Sequence, residues 1–532
     1  MHACLLTLAV AGIASAGHVS MSLSRERFNL NLPASITRRQ TSNSTGNSIL
    51  LEAVNNITGG GYYAEFGIGT PPQSIGFLLD TGSSDTWMNS AESDLCSSTS
   101  LQRLYGFCLK PFDPDSSSTF ETIDRNGFDI TYLDGRNIMG NYINDTVTIG
   151  GEKIVGQQLG LALDTVRPAG IMGLGFSKNV AATSEYPTIV DNMVSQGLID
   201  TPAYSLWLNT IESDEGSILF GAIDQKKFVG SLATMELHPD ELSGQDEALH
   251  FNVKLTGFHA NTPDNADDID LSNLDSFAVL DSGSTICLMP DDQVKAIHEE
   301  FGVVAIDGLL APFADCAWRG DKGKGYSFDF KFEGKVIRVP MSEMIVNAYE
   351  EIQEELMRDP EARRLFGDWD SVCIFGIGST ADFGFEGDGF TLLGDTFLRS
   401  AYVVYDLANE QLGLAQAVHD SDESDIVDIT SGDLPEVQGV EGQSDLPKDP
   451  EDSANDNDQD QDQNDDDDQD DDRQGSEGPV TRTITVSSNQ PTGADFGDDD
   501  DDAAILLSNP FREGAPAAVG FMGFMAAVMV ML

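Results

Sequence analysis

A mainly β chain folded as two related lobes is predicted by three observations. Short apolar runs broken by Gly, Pro and Asp fill the chain from about residue 60 to 418, an aspartate motif occurs twice, and a glycine-ended apolar run follows each copy about a hundred residues on. The runs GYYAEFGIG, SIGFLLD, YSLWLNT, GSILFGA and AYVVYDL are rich in β-branched and aromatic residues, which suit a pleated, half-buried surface. Helices are few. PDDQVKAIHEEFG places Val294, Ile297 and Phe301 on one face behind an acidic first turn, and VNAYEEIQEELMRDPEARRLFG is a second candidate interrupted at Pro360.

The two motifs are FLLDTGSSDTWM, with Asp80-Thr81-Gly82-Ser83, and FAVLDSGSTICLMP, with Asp281-Ser282-Gly283-Ser284. A carboxylate emerging from a buried strand is costly unless hydrogen bonds or a partner compensate it, so such a placement points to function. The later runs AGIMGLGF, with Gly173, and TLLGDTF, with Gly394, complete the repeat. Two related lobes then bring two carboxylates to a shared interface.

The 40% hydrophobic content of 532 residues supports a large globular part with tails. A formal charge of -60 excludes a nucleic-acid partner, because phosphate binding needs basic stripes. ACLLTLAVAGI followed by Ala14-Ser15-Ala16 reads as a signal peptide over residues 1–16, with His2 in place of a basic start. Arg38-Arg39 suits a processing cut that would release a basic pro-segment, residues 17–39, carrying Arg25 and Arg27; a solvated basic dipeptide is the simpler alternative. A polar lead over 40–59 precedes lobes expected at 60–235 and 236–418.

After Val418 the composition turns to Asp, Gln, Ser and Asn, culminating in NDNDQDQDQNDDDDQDDD, and residues 419–502 read as an acidic disordered stalk. Without a glycine-centred loop ending in glutamate, only weak, diffuse cation binding is allowed there. Residues 503–532 end in APAAVGFMGFMAAVMVML, a run with the pattern of a glycolipid (GPI) anchor signal; a tail-anchored helix is the competing reading, and Asp502, Ala503, Ser508, Asn509 and Gly514 are small enough for attachment. Once Cys4 leaves with the signal, Cys96, Cys108, Cys287, Cys316 and Cys373 remain, an odd set for an oxidising compartment, with Cys287 in the apolar run TICLMP reading as a buried thiol.

The series GYYAEFGIGTPPQ, LLDTGSSDTW, FDPDSSSTF, GIMGLGF, GSILFGAID, VLDSGST and LLGDTFLRSAYVVYDLANEQLGLA resembles, in order, the pepsin-like aspartic endopeptidases, and among them the fungal cell-surface yapsin type. The resemblance covers most of residues 55–418 and implies a bilobal fold with its active-site cleft between the lobes. It also implies peptide hydrolysis at acidic pH without metal or cofactor, by a monomer acting on extended protein or peptide segments. Asp80 and Asp281 would hold the attacking water, sharing one proton because two close carboxylates cannot both ionise readily. Ser83 and Ser284 would bond the outer carboxylate oxygens, Gly82 and Gly283 would admit close backbone, and Thr81 and Ser282 would tie the two loops together.

In the same comparison FDITYLDGRNIMG is a flap turning through Asp134-Gly135, with Tyr132 closing over substrate and bonded to Trp87; Leu133 replaces the glycine common there. Asp134 has two readings: pairing with a substrate Lys or Arg beside the scissile bond, or simple turn geometry. Cys96 and Cys108 would staple a rim loop, and Cys316 and Cys373 match a second-lobe disulfide. The sequons at Asn43, Asn56 and Asn144 permit glycans in an exported chain. His298-Glu299-Glu300 lacks the second histidine of a zinc helix, no G-x-S-x-G elbow occurs, and Pro71-Pro72 spoil GIGTPPQ as a phosphate loop. The rival is a non-catalytic surface binding protein on the same fold, which would tolerate loss of a carboxylate or its hydroxyl partner; this sequence keeps them all.

Overall fold

The computed structural model describes residues 19–24 and 61–442, apart from 214, 240–246, 264–268, 307–308, 351–352, 385–389 and 431. The signal peptide, Arg38-Arg39, Asn43, Asn56, the chain beyond 442 and the anchor signal lie outside the described residues. Among the described residues no helix is long and apolar enough to cross a membrane.

The architecture is mainly β and forms two compact units that interleave along the chain. One takes the chain up to Val253, the short stretch Val279–Thr285 and the chain from Leu393; the other takes Lys254–Ala278 and Ile286–Leu392. The first unit contains a seven-stranded sheet in the order Tyr63–Ile68, Gln73–Asp80, Gly170–Gly173, Thr86–Asn89, Glu152–Asp164, Asn137–Ile149 and Glu121–Thr131. Gln73–Asp80 runs parallel to Gly170–Gly173 with Asp80 opposite Gly173. A Cβ at Gly173 would lie 2.4 Å from the Ser84 carbonyl carbon, which is why that apolar run ends in glycine beside the aspartate loop.

The sheet of the second unit repeats this plan: Ile269–Leu280, Phe390–Leu393, Cys287–Met289 and Ile377–Ser379 lie side by side in that order. In both sheets the strand after the aspartate motif is antiparallel to the glycine-ended run and parallel to its other neighbour. The duplication read from the motifs is therefore also a duplication of topology.

A six-stranded sheet of the first unit has Val19–Ser24 at its edge, antiparallel to Glu215–Phe220, followed by Ala203–Trp207, Ala401–Asp406, Gln411–Ala417 and Phe228–Glu236. The edge strand comes from the segment read as a pro-segment.

The change in composition at Val418 does not end the folded chain, which corrects the expected start of the stalk. Ile426–Asp428 pairs with Ala222–Asp224, the Ser424 hydroxyl and Asp425 N–H donate to the Asp224 carboxylate at 2.7 Å, and Val440 N–H donates to Phe228 O. Ile429, Leu434 and Val437 are buried with Trp207, Phe228 and Tyr402. Apolar residues spaced among the acids supply the burial that a polar tract alone lacks. Leu434→Ala is expected to cost about 2 kcal/mol of unfolding free energy, read as a lowered urea midpoint; an unchanged midpoint would show that this strap does not hold the fold.

The helix Asp291–Phe301 buries Val294, Ile297 and Phe301, as its periodicity predicts, and ends at Gly302 in the left-handed region. The second helical candidate is two short helices, Gln353–Leu356 and Pro360–Phe366, with Pro360 starting the latter, where its missing N–H costs nothing. Cys96–Cys108 and Cys316–Cys373 are disulfides and Cys287 is a buried thiol. Asn144 is half-buried in mid-strand, opposite Glu121 and Gln158 on its two neighbours.

Candidate active site

Both aspartate loops belong to the first compact unit, since Val279–Thr285 joins it. Asp80 ends the buried strand Gln73–Asp80, and its Oδ1 accepts the Gly82 N–H at 2.9 Å while Oδ2 accepts the Ser83 hydroxyl. Asp281 repeats the pattern: Oδ1 accepts the Gly283 N–H at 2.7 Å and Oδ2 the Ser284 hydroxyl at 2.7 Å. The two carboxyls lie close enough for the charge of Asp281 to act on Asp80. A Cβ at Gly82 would lie 2.6 Å from Asp281 Oδ1, and one at Gly283 2.4 Å from Asp80 Oδ1. Each glycine thus gives the opposite carboxyl its room.

The loops are bound to each other by four reciprocal hydrogen bonds. Thr81 Oγ1 donates to Leu280 O and accepts from Ser282 N, both at 2.9 Å; Ser282 Oγ donates to Leu79 O at 2.9 Å and accepts from Thr81 N at 3.2 Å. All are buried, so breaking one leaves an unsatisfied polar group inside the protein. Serine at 282 makes the same bonds a threonine hydroxyl would.

Burial, and then the negative charge of Asp281, push the Asp80 carboxyl up to about 8, against the opposing pull of Ser83 and Gly82. The pair therefore keeps one proton throughout the acidic range. One carboxyl that accepts a proton and one that donates it are what metal-free hydrolysis of an amide needs.

Above the pair, the strands Glu121–Thr131 and Asn137–Ile149 form a hairpin closed by hydrogen bonds between Tyr132 N and Arg136 O and between Gly135 N and Tyr132 O, with Gly135 at φ 76°. Trp87 Nε1 donates to the Tyr132 hydroxyl at 2.6 Å. Trp87 is fully buried and Leu133 is partly exposed at the tip.

Asp134 is held by two arginines of this chain. Its Oδ2 accepts from Arg167 Nη2 at 2.7 Å and lies 3.4 Å from Arg136 Nε, while Oδ1 accepts the Arg136 N–H at 3.0 Å. The turn reading of Asp134 describes this geometry; the pairing reading overlooked Arg167, which is 33 residues away in sequence.

Two further carboxyls escaped sequence reasoning. Asp395, quoted within TLLGDTF but given no role, is fully buried, and its N–H donates to Ser284 O at 2.8 Å, bracing the second loop. Burial holds its carboxyl well above the usual range, Arg399 opposing and the Asp281 charge adding to the shift. Asp85, five residues after Asp80, accepts from the Tyr142 and Tyr186 hydroxyls and the Ala181 N–H at 2.6–2.9 Å, and burial raises it despite them. Its position after the motif was the available signal, but its tyrosine partners are far along the chain.

The pattern of the eukaryotic aspartyl protease family matches residues 61–417. The chain is 34% identical over 377 residues, 70% of this chain and 71% of the relative, to a probable aspartic-type endopeptidase, opsB, of Aspergillus fumigatus. It is 34% identical over 364 residues, 67% and 80% of the two chains, to an acid protease of Saccharomycopsis fibuligera, and 30% identical over 374 residues, 69% and 78%, to secreted aspartic protease 6 of Candida albicans. With two mirrored aspartate loops on a duplicated β scaffold and a family match across the folded body, the chain belongs to the eukaryotic, pepsin-like aspartyl protease family and is an aspartic-type endopeptidase.

Proposed function

We propose that Asp80 and Asp281 hold the attacking water between them and cleave extended protein or peptide segments in an acidic medium. The observation that carries this reading is that each aspartate loop sets its glycine against the opposite carboxyl, each carboxyl having its own N–H and hydroxyl donor. The ionised carboxyl takes a proton from water as the water oxygen bonds to the peptide carbonyl carbon, and the protonated carboxyl donates to the carbonyl oxygen. The resulting gem-diol collapses as the carboxyl that took the water proton gives it to the leaving nitrogen, the C–N bond breaks, and a gem-diol hydroxyl passes its proton to the other carboxylate, which restores the shared proton. Ser83 and Ser284 fix the carboxylates, Thr81 and Ser282 fix the loops, and Tyr132 with Trp87 carries the flap over substrate.

The enzyme is further proposed to be exported, freed of residues 17–39 by cleavage after Arg39, and displayed as a monomer on a glycolipid anchor, the acidic segment beyond residue 442 serving as spacer. Supporting this are the leader and tail patterns and one relative's name, a secreted protease. Like charges extend such a segment at neutral pH and less so as they protonate. Phospholipase cleavage of glycolipid anchors should release activity from intact cells, and truncation after Asp502 should send it to the medium; retention of activity on treated cells would refute the anchor. The reading in which Asp134 selects a substrate Lys or Arg is not carried forward, because two arginines of this chain occupy that carboxylate.

A further inference from the structure

We propose that Asp85 is a positioning residue: it fastens the root of the flap and the loop of residues 177–186 to the strand that carries Trp87, and so sets how firmly Tyr132 closes over substrate. This rests on the proteolytic reading above and adds a residue that acts on that site through the flap.

Three donors from two separate parts of the chain converge on this one fully buried carboxyl. Oδ1 accepts the hydroxyls of Tyr142 at 2.9 Å and Tyr186 at 2.6 Å, and Oδ2 accepts the Ala181 N–H at 2.6 Å. Tyr142 lies on Asn137–Ile149, the strand by which the chain leaves the flap, whereas Ala181 and Tyr186 lie on the loop beyond Gly173. The backbone is tied as well, since the Asp85 carbonyl accepts the Gly173 N–H at 3.2 Å. The strand Thr86–Asn89 begins at the next residue. Losing the carboxyl would therefore free the flap root and the loop together from the strand that bears Trp87, and leave buried donors unsatisfied.

From Asp85 a packed row of rings leads to the flap tip. Tyr186 meets Tyr142 edge-on with ring centres 5.8 Å apart, Tyr142 meets Phe128 edge-on at 5.3 Å, and Phe128 lies 6.2 Å from Trp87. Phe128 stands on Glu121–Thr131, the strand that enters the flap, so the row takes in both flap strands. Trp87 Nε1 then donates to the Tyr132 hydroxyl at 2.6 Å. The row has no slack at Gly160, which lies opposite both Trp87 and Tyr142 on the neighbouring strands: a Cβ there would come within 2.7 Å of the Trp87 Cβ and 2.8 Å of the Phe128 ring. Tyr132, Val180 and Ala182 pack on the same cluster. A shift at its base is thus passed to the indole that orients Tyr132.

The carboxyl can keep its three contacts in either protonation state, because a phenol both donates and accepts. Ionised, it accepts all three bonds; protonated, it donates from Oδ1 to one phenol oxygen and keeps Oδ2 for Ala181. The ionisable side chains that meet or feel it are Tyr142, Tyr186 and Tyr132, none of which ionises in acid. Asparagine fits the same partners, with its oxygen towards Ala181 and its amide hydrogens towards the phenols. Leucine matches the volume and satisfies none of them. The role is one of hydrogen bonding and not of charge.

The test uses the full chain purified after secretion, with Tyr142→Phe, Tyr186→Phe, Asp85→Asn and Asp85→Leu, each made alone and with Tyr132→Phe. Initial rates on one peptide substrate, well below the thermal midpoint, give kcat and KM. Flap closure accompanies binding, so each phenylalanine variant at 142 or 186 should raise KM about threefold to tenfold with kcat within about twofold. Asp85→Leu should raise KM further, and Asp85→Asn should stay within about twofold of wild type. With Tyr132→Phe present, the same changes should move KM by less than about twofold, because the group through which they act has lost its hydroxyl. Hydrogen exchange gives a readout independent of cleavage: in Tyr142→Phe and Tyr186→Phe the amides of residues 128–139 should exchange at least about threefold faster, while those of Ala401–Asp406 in the same compact unit keep the wild-type rate. Unchanged KM in the phenylalanine variants, effects that add fully to Tyr132→Phe, an Asp85→Asn variant as impaired as Asp85→Leu, or equally faster exchange in both segments would overturn the proposal. If Asp85→Leu does not fold, the two phenylalanine variants, each lacking one hydroxyl, decide it. Flap exchange that responds as expected in a chain that cuts no peptide would overturn the proteolytic reading while supporting the fastening itself.

Discussion

Replacing Asp281 with asparagine is expected to lower cleavage of a denatured protein at acid pH by at least about ten-thousandfold, because a proton acceptor and its share of the dyad proton both vanish. The substitution changes size little, and Gly283 N–H and Ser284 Oγ, now at 2.7 Å from the carboxylate, still have an amide to meet. The thermal midpoint near neutral pH should therefore hold or rise, since a buried negative charge beside Asp80 is removed. Asp80→Asn should give the same loss. Measured kcat above about one hundredth of the wild-type value in either variant would refute the two-carboxyl mechanism.

The second large effect is a loss of stability as the medium becomes neutral. Asp80 rises from an ordinary 3.8 to about 8 on folding, so between those values the folded state holds more protons than the unfolded one. Stability from this group is complete below about pH 4 and is lost as pH rises through about 8. At mid-window the slope is about 1.4 kcal/mol per pH unit, which gives about 2–3 kcal/mol between about pH 5 and pH 7. Asp85 and Asp395 are shifted in the same direction and add to it. Urea midpoints across pH should fall accordingly, and Asp80→Asn should flatten the curve by about one proton. A wild-type midpoint that rises over this range would show that the dyad does not keep its proton.

Such behaviour suits a catalyst that works in acid. It also links the two predictions physically: the crowding that makes the carboxyls share a proton is also what makes the folded state costly when that proton leaves.

Legibility in the sequence followed the range of the interactions concerned. The duplicated loops could be read because their donors are local: Gly82 and Ser83 lie two and three residues after Asp80, and Gly283 and Ser284 repeat the spacing after Asp281. The helix Asp291–Phe301 was legible from its apolar period, and Pro360 marked a helix boundary through its missing donor. The end of the fold was not legible, because composition at Val418 turns acidic while Ile429, Leu434 and Val437, sparsely spaced, still find Trp207 and Phe228.

By itself, then, the chain order determined the fold class, the paired aspartates and the local hydrogen bonds that hold each one, since these depend on neighbours within a few residues. Tertiary structure alone decided which side chains meet Asp134 and the burial of Asp85 and Asp395. It did so because Arg167 reaches Asp134 from 33 residues away and Tyr186 reaches Asp85 from 101. Electrostatic character is a sum over space, and a sequence orders its charges along only one dimension.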